Sequence, residues 1–264
     1  MNVIMQKFTH TRPASLQLRT LIAALLFLAL TAIAKPAAAA TCSNASLKGT
    51  YGISWGWPQE LFAATGNEAM VVGQLTFDGD GMVTAVETVS FLNSIHQGET
   101  VKGTYSVAAN CTGTISLSPD FFNIYLNSSN TGFQMTLTTS GFEAAGFALP
   151  QVSETCALTG ETQRLGLNLI GTLPGSSVNK AIIGVLELNG AGTLTGTVSI
   201  NMNYSNVVKS VSGTYTEASD CTSKVRITPS GLVALHFNGV FVNGGKELLL
   251  IETDAGTVIG GSAQ

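Results

Sequence analysis

Two stretches decide the fold: Gly73-Gln74-Leu75-Thr76-Phe77-Asp78-Gly79-Asp80-Gly81-Met82-Val83-Thr84 and Gly184-Val185-Leu186-Glu187-Leu188-Asn189-Gly190-Ala191-Gly192-Thr193-Leu194-Thr195. Each is an alternating apolar run, a glycine-rich Asp or Asn turn, and a second alternating run, the pattern of a tight β-hairpin. The second stretch repeats the first 111 residues on. Further matches keep the order and nearly the offset: Gly103-Thr104-Tyr105 with Gly213-Thr214-Tyr215, Cys111-Thr112 with Cys221-Thr222, and Thr41-Cys42 with Thr155-Cys156. The chain therefore reads as two copies of a unit of about 110 residues, an ordinary domain size. The first copy spans 41–150 and the second 151–264, with the boundary between Pro150 and Glu154.

Outside this duplication stands the N-terminus. Lys7, Arg12 and Arg19 precede an uncharged run from Leu21 to Ala34, followed by Lys35, Pro36 and four alanines. This is the pattern of a secretory signal cleaved after Ala40. The apolar run is too short for a spanning helix, which needs about 20 residues, so no transmembrane anchor is expected after cleavage. Thr41 before Cys42 argues against a lipid anchor on that cysteine. The sequence thus predicts a secreted or periplasmic protein.

Cleavage changes the charge. The full chain has 12 Lys/Arg, 16 Asp/Glu and a net charge of −4; after Ala40 eight basic residues face all 16 acidic ones, leaving −8. Such a surface repels phosphate backbones, and no basic cluster offsets it, so nucleic acid is not an expected partner. All four cysteines survive cleavage, and an exported chain with an even number predicts disulfides. Because each copy owns two cysteines at matching places, the simplest pairing is Cys42 with Cys111 and Cys156 with Cys221.

Within the first copy, eight strands are predicted at 49–57, 69–77, 82–92, 100–108, 113–118, 121–126, 132–139 and 143–148. The second repeats the plan at 166–172, 181–188, 194–204, 208–218, 224–228, 232–240, 246–252 and 257–262. Short links favour an up-and-down meander, and closing it removes both edges. The expectation is all-β: two tandem eight-stranded antiparallel β-barrels, with β-sandwiches as the alternative.

Each copy resembles in outline the lipocalin and avidin type of meander barrel, including an opening Gly49-Thr50-Tyr51 strand. Three strings are similar to uncharacterised secreted bacterial proteins built from the same turn-and-strand repeats: 74–81, Gly103-Thr104-Tyr105-Ser106-Val107 and 245–254. The resemblance implies fold and export; it transfers no functional residue.

Residue chemistry offers few reactive constellations. Asp78-Gly79-Asp80-Gly81 lacks the further ligands of a calcium loop, so it reads as a turn and no metal is expected. Gly190-Ala191-Gly192 has the wrong spacing for a dinucleotide loop, and no cofactor is expected. His96 is predicted in a solvated loop spanning 93–99, and His236 on a strand with its face undetermined. Glu187 reads as outward; Glu87 shares a face with Ala85 and Val89 and reads equally well as inward.

Aromatic content separates the copies. The first holds thirteen aromatic residues and the second four: Tyr204, Tyr215, Phe237 and Phe241. Equivalent cores should not need such different numbers, so the excess marks a core of larger side chains, a contact surface, or a ligand pocket, for which Trp55, Trp57, Tyr105, Phe122 and Tyr125 are the candidates. Three functions follow from these readings: a secreted non-enzymatic binding protein holding a small apolar ligand in the first repeat, a structural or cell-surface interaction module, and, with no motif behind it, a barrel isomerase or cyclase.

Overall fold

In the computed structural model, residues 41–56, 69–91, 94–127, 131–140, 144–152, 156, 162–173 and 179–264 are described here. The segment read as a leader, 1–40, and Trp57 lie outside them. Thr41–Gln264 is one compact unit holding two closed eight-stranded antiparallel barrels.

Barrel 1 consists of β1 (Lys48–Gly56), β2 (Ala69–Asp78), β3 (Met82–Phe91), β4 (Ser94–Val107), β5 (Thr112–Leu117), β6 (Asp120–Leu126), β7 (Phe133–Leu137) and β8 (Ala145–Pro150). Barrel 2 consists of β9 (Gln163–Thr172), β10 (Asn179–Leu188), β11 (Thr193–Met202), β12 (Ser205–Glu217), β13 (Thr222–Pro229), β14 (Leu235–Val242), β15 (Glu247–Glu252) and β16 (Val258–Ala263). Each strand pairs with its sequence neighbour, and the first and last close the ring, β1 on β8 and β9 on β16. This is the predicted meander; the sandwich alternative is not formed.

Alternation fills the barrels. Along β6, Phe122, Ile124 and Leu126 are buried while Phe121, Asn123 and Tyr125 face out, the two-residue period of a strand with one covered face. The hairpin turns work as the repeat predicts. Asp78 Oδ1 accepts the backbone N–H groups of Asp80, Gly81 and Met82 at 2.7, 2.9 and 3.0 Å. Asn189 Oδ1 does the same for Ala191 and Thr193 at 2.9 and 3.0 Å. Gly79 and Gly81, like Gly190 and Gly192, take the positive φ that the turn requires. The side chain of Asp78 is thus committed to its own backbone, and those donors, Asp80 first, hold its carboxyl below the usual range.

Disulfides join Cys42 to Cys111 and Cys156 to Cys221, both with Cα atoms 5.0 Å apart. In barrel 1 the bridge ties a short 3-10 helix, Asn44–Ser46, to the β4–β5 turn. Tyr105 from β4 anchors the same corner: its hydroxyl donates to the carbonyls of Asn44 and Leu47 at 3.0 and 2.9 Å.

The barrels lie side by side across an apolar seam. Val72 of barrel 1 packs with Val240, Val242, Leu249 and Ile251 of barrel 2, joined by Met70, Phe147 and Leu149. Polar bonds flank it. Gln74 Nε2 donates to Gln151 Oε1 at 3.0 Å and to the Asp220 carbonyl, and Asn238 Nδ2 donates to Thr88 Oγ1 and Gln97 Oε1 at 2.9 and 3.0 Å. This seam explains why β15, Glu247–Glu252, is buried on both faces beyond its first residue: one face fills barrel 2 and the other meets barrel 1.

One segment departs from expectation. Residues 94–99, read as loop, extend β4 toward the β3–β4 turn. The pairing shifts there, from Glu87 opposite Glu99 to Thr88 opposite Gln97. Gly98, at φ 69°, is the extra residue of a β-bulge, which lets a polar, glycine-containing stretch stay in the sheet.

Candidate functional site

The aromatic candidates separate by position. Trp55 and Phe122 face the interior of barrel 1 and touch edge to face, ring centroids 5.3 Å apart. Tyr105 is also interior but belongs to a different cluster, at the corner closed by the disulfide, where Phe77 sits 4.8 Å from Tyr105 and 5.6 Å from Tyr51. Phe133 completes that cluster, 5.9 Å from Phe77. These rings fill one another's space, and the Tyr105 hydroxyl is satisfied by backbone, so this half is packed core. Tyr125 stands on the outer face, 51% exposed, because β6 alternates and Phe122 has the inward parity; it does not share the interior with Trp55 and Phe122.

The strand register brings two carboxylates to the Trp55 and Phe122 half. Glu87 from β3 pairs with Gly73 of β2, where the strands lie so close that an added Cβ would fall 2.8 Å from the Glu87 Cα and 3.1 Å from its Cγ. Asp120 begins β6, two residues before Phe122, with the same inward parity. Burial, then the negative charges of Asp120 and Glu99, push the Glu87 carboxyl up to about 7. Burial also raises Asp120. The indole Nε1 of Trp55 is buried and makes no hydrogen bond.

Superposing the two barrels by strand pairing isolates these residues. Gly73 faces Glu87, and Gly184 faces Val198. Trp55 pairs with Val71 as Leu169 pairs with Ile182. Leu117 pairs with Asp120 as Ile227 pairs with Leu235. Barrel 2 thus carries Leu169, Val198 and Leu235 where barrel 1 carries Trp55, Glu87 and Asp120. Only the fourth position is alike, Phe122 against Phe237. The bulge is also peculiar to barrel 1, since β11 and β12 pair without a shift.

The remaining candidates lie elsewhere. His96 is exposed, its Nδ1 3.1 Å from Glu99 Oε1. His236 faces out, its Nδ1 2.8 Å from Asp254 Oδ1. Glu187 points outward near Arg164, 3.9 Å away. Sequence reasoning missed Asp120. A cleft of about 470 Å³ between the barrels, lined in part by Gly73, Glu87, Thr88, Gln97, Lys224 and Asn238 and so bordering the Glu87 position, was likewise invisible to it, because it exists only when the copies dock.

No protein-family model matches the chain, and no curated protein matches it. Among solved structures, the isotype 1 transferrin binding protein B from serogroup B Neisseria meningitidis aligns over 83% of this chain and 77% of its own, at 6% identity and a TM-score of 0.31.

Proposed function

We propose that the protein is an exported, non-enzymatic binding protein that takes a small ligand with apolar surface at the end of barrel 1 marked by Trp55 and Phe122. The observation that supports this reading is the internal comparison: barrel 2 closes and packs with Leu169, Val198 and Leu235, so the fold itself does not call for Trp55, Glu87 and Asp120. Aromatic walls with a few polar groups are the usual lining of small-molecule sites. Export rests on the N-terminal signal pattern and accords with two disulfides. Tryptophan fluorescence tests the reading, since both tryptophans, Trp55 and Trp57, belong to the first copy. A panel of fatty acids, retinoids, flavonoids and amines should contain a class that shifts emission saturably, and native mass spectrometry of protein purified from its own source should show a retained small molecule. A flat titration with every class and a bare mass would refute it.

A second reading, an interaction module, has one observation in its favour. The β11–β12 hairpin exposes Met202, Val207 and Val208 and leaves Tyr204 fully in solvent. Large apolar side chains gathered on one exposed tip suit a protein contact.

A further inference from the structure

We propose that the ligand of barrel 1 is a small organic cation, an amine on an apolar body, whose charge is met by Glu87 and Asp120 and whose body packs on Trp55. This deepens the binding reading above and rests on it.

The two barrels treat their inward-facing acids differently. In barrel 2, Glu252 is 1% exposed and has a cation of its own: Lys180 Nζ lies 3.7 Å from its Oε1. The Thr257 hydroxyl donates to its other oxygen at 2.6 Å. In barrel 1 the acids are Glu87 and Asp120, both partly buried and set on opposite sides of the ring, and among the described residues neither forms an ion pair; Lys224 of barrel 2 lines the same inter-barrel cleft as Glu87 without pairing with it. The only Lys or Arg residues in 41–150 are Lys48 and Lys102, and both are exposed. A carboxylate taken from water without a counter-charge is strongly disfavoured. Two of them converging in an aromatic surrounding are a place for a positive charge brought from outside.

Two further features point to a ligand. Trp55 is 7% exposed, yet its Nε1 donor is unused; a hydroxyl or ether oxygen on the ligand would satisfy it. Its ring and that of Phe122 offer π faces, which attract cations. The bulge at Gly98 falls where Glu87 meets Glu99, and bulges commonly re-aim side chains beside binding sites.

The charged groups around Glu87 fix the pH dependence. Asp120 approaches from β6 and Glu99 from β4, the latter paired with His96; Gly73 on β2 and Ile53 and Trp55 on β1 bring no charge, and across the inter-barrel cleft that Glu87 also lines stand Glu217, Asp220 and Lys224 of barrel 2. With Glu87 titrating near 7, a cation binds the ionised form and expels its proton. Affinity should therefore rise with pH, by about tenfold per unit below 7, and level off above it.

The test is calorimetric titration of the intact exported protein at pH 8 with 2-phenylethylamine, tyramine and hexylamine, each beside its matched alcohol, and with phenylacetate as the anion. At least one amine should bind about tenfold or more tightly than its alcohol, phenylacetate should not bind, and the preference should vanish in Glu87→Gln. Glu87→Val and Asp120→Asn serve as second variants, with circular dichroism to confirm the fold. Alcohols binding as tightly as amines, or a retinoid binding where every amine fails, would overturn the cationic ligand while leaving the binding reading intact. Failure of every class, neutral and charged, would overturn both.

Discussion

Gly52 of β1 stands directly against Val242 of β14 across the seam: a Cβ added at Gly52 would fall inside van der Waals contact of the Val242 methyl group and 3.0 Å from that of Val240. Gly260 has the same role toward Met70, where an added Cβ would lie 2.7 Å from Cγ. Close approach, not turn geometry, explains glycine at both positions.

Gly52→Ala should therefore lower stability by about 1–3 kcal/mol, the usual penalty of overpacking. For a chain of this size that is a fall in Tm of roughly 2–4 °C per kcal/mol. Val242→Ala added to it should restore part of the loss, since residues in contact do not behave additively. Thermal scans of the two single variants and the double variant decide the matter: strictly additive changes would mean that the seam is not closely packed.

The Lys180–Glu252 pair carries a second expectation. Lys180→Met removes the one cation that, among the described residues, pairs with the fully buried Glu252 carboxylate and should cost about 3–5 kcal/mol. Barrel 1 shows the apolar solution: Ala69 and Leu137 occupy the corresponding places by strand pairing. The double variant Lys180→Ala, Glu252→Leu should thus recover to near wild-type stability or exceed it, because replacing a whole buried pair is often neutral or favourable. Urea denaturation of the three proteins measures this. A single Lys180→Met variant as stable as wild type would show that Glu252 is held by other groups.

Asp78 provides a local test with a built-in control. Asp78→Ala deletes the acceptor of three backbone N–H groups and should lower Tm, as the loss of a helix cap does. Asp78→Asn should be close to neutral, because Asn189 closes the equivalent hairpin with the same oxygen. Chelator should leave Tm unchanged in all three proteins. A fall of Tm with chelator in the wild type alone would instead reveal a cation on the turn.

How much of this was legible follows from what each feature depends on. The hairpins and the barrels are local: Asp78, Gly79 and Gly81 specify a turn by their own backbone needs, and alternating runs specify the strands. The bulge at Gly98 was not legible, because glycine among polar residues reads as loop when the partner strand is unknown. The site was half legible. Trp55, Phe122 and Glu87 drew notice through aromatic excess and strand parity, whereas Tyr125 stands on the opposite face of β6 from Phe122, and which of those two faces points inward is a choice that sequence alone leaves open. Asp120 escaped because the repeat offset changes around it: Tyr105 corresponds to Tyr215, 110 residues on, but Phe122 corresponds to Phe237, 115 residues on. The extra residues lie before β14, and an ungapped comparison hides that Asp120 stands where barrel 2 has Leu235.

The remaining prediction concerns Glu87 and pH. Its carboxyl titrates near 7 in the folded protein against 4.5 as the ordinary value. Between those limits the folded state holds the proton more firmly than the unfolded one. Stability is therefore greatest below about 4.5 as far as this group is concerned, and it declines as pH rises to about 7, by a total on the order of 3 kcal/mol. Burial raises Asp120, Glu247 and Glu252 in the same direction, so they add to the slope. Glu87→Val installs the residue that barrel 2 uses at Val198. It should leave stability at pH 4.5 nearly unchanged, raise it by an amount on the order of 3 kcal/mol at pH 8, and flatten the wild-type slope between them. Urea denaturation at intervals across that range reads all three effects. A slope unaltered by the substitution would mean that Glu87 titrates as a solvated carboxylate, and the unpaired acid in barrel 1 would then carry no electrostatic penalty for a ligand to relieve.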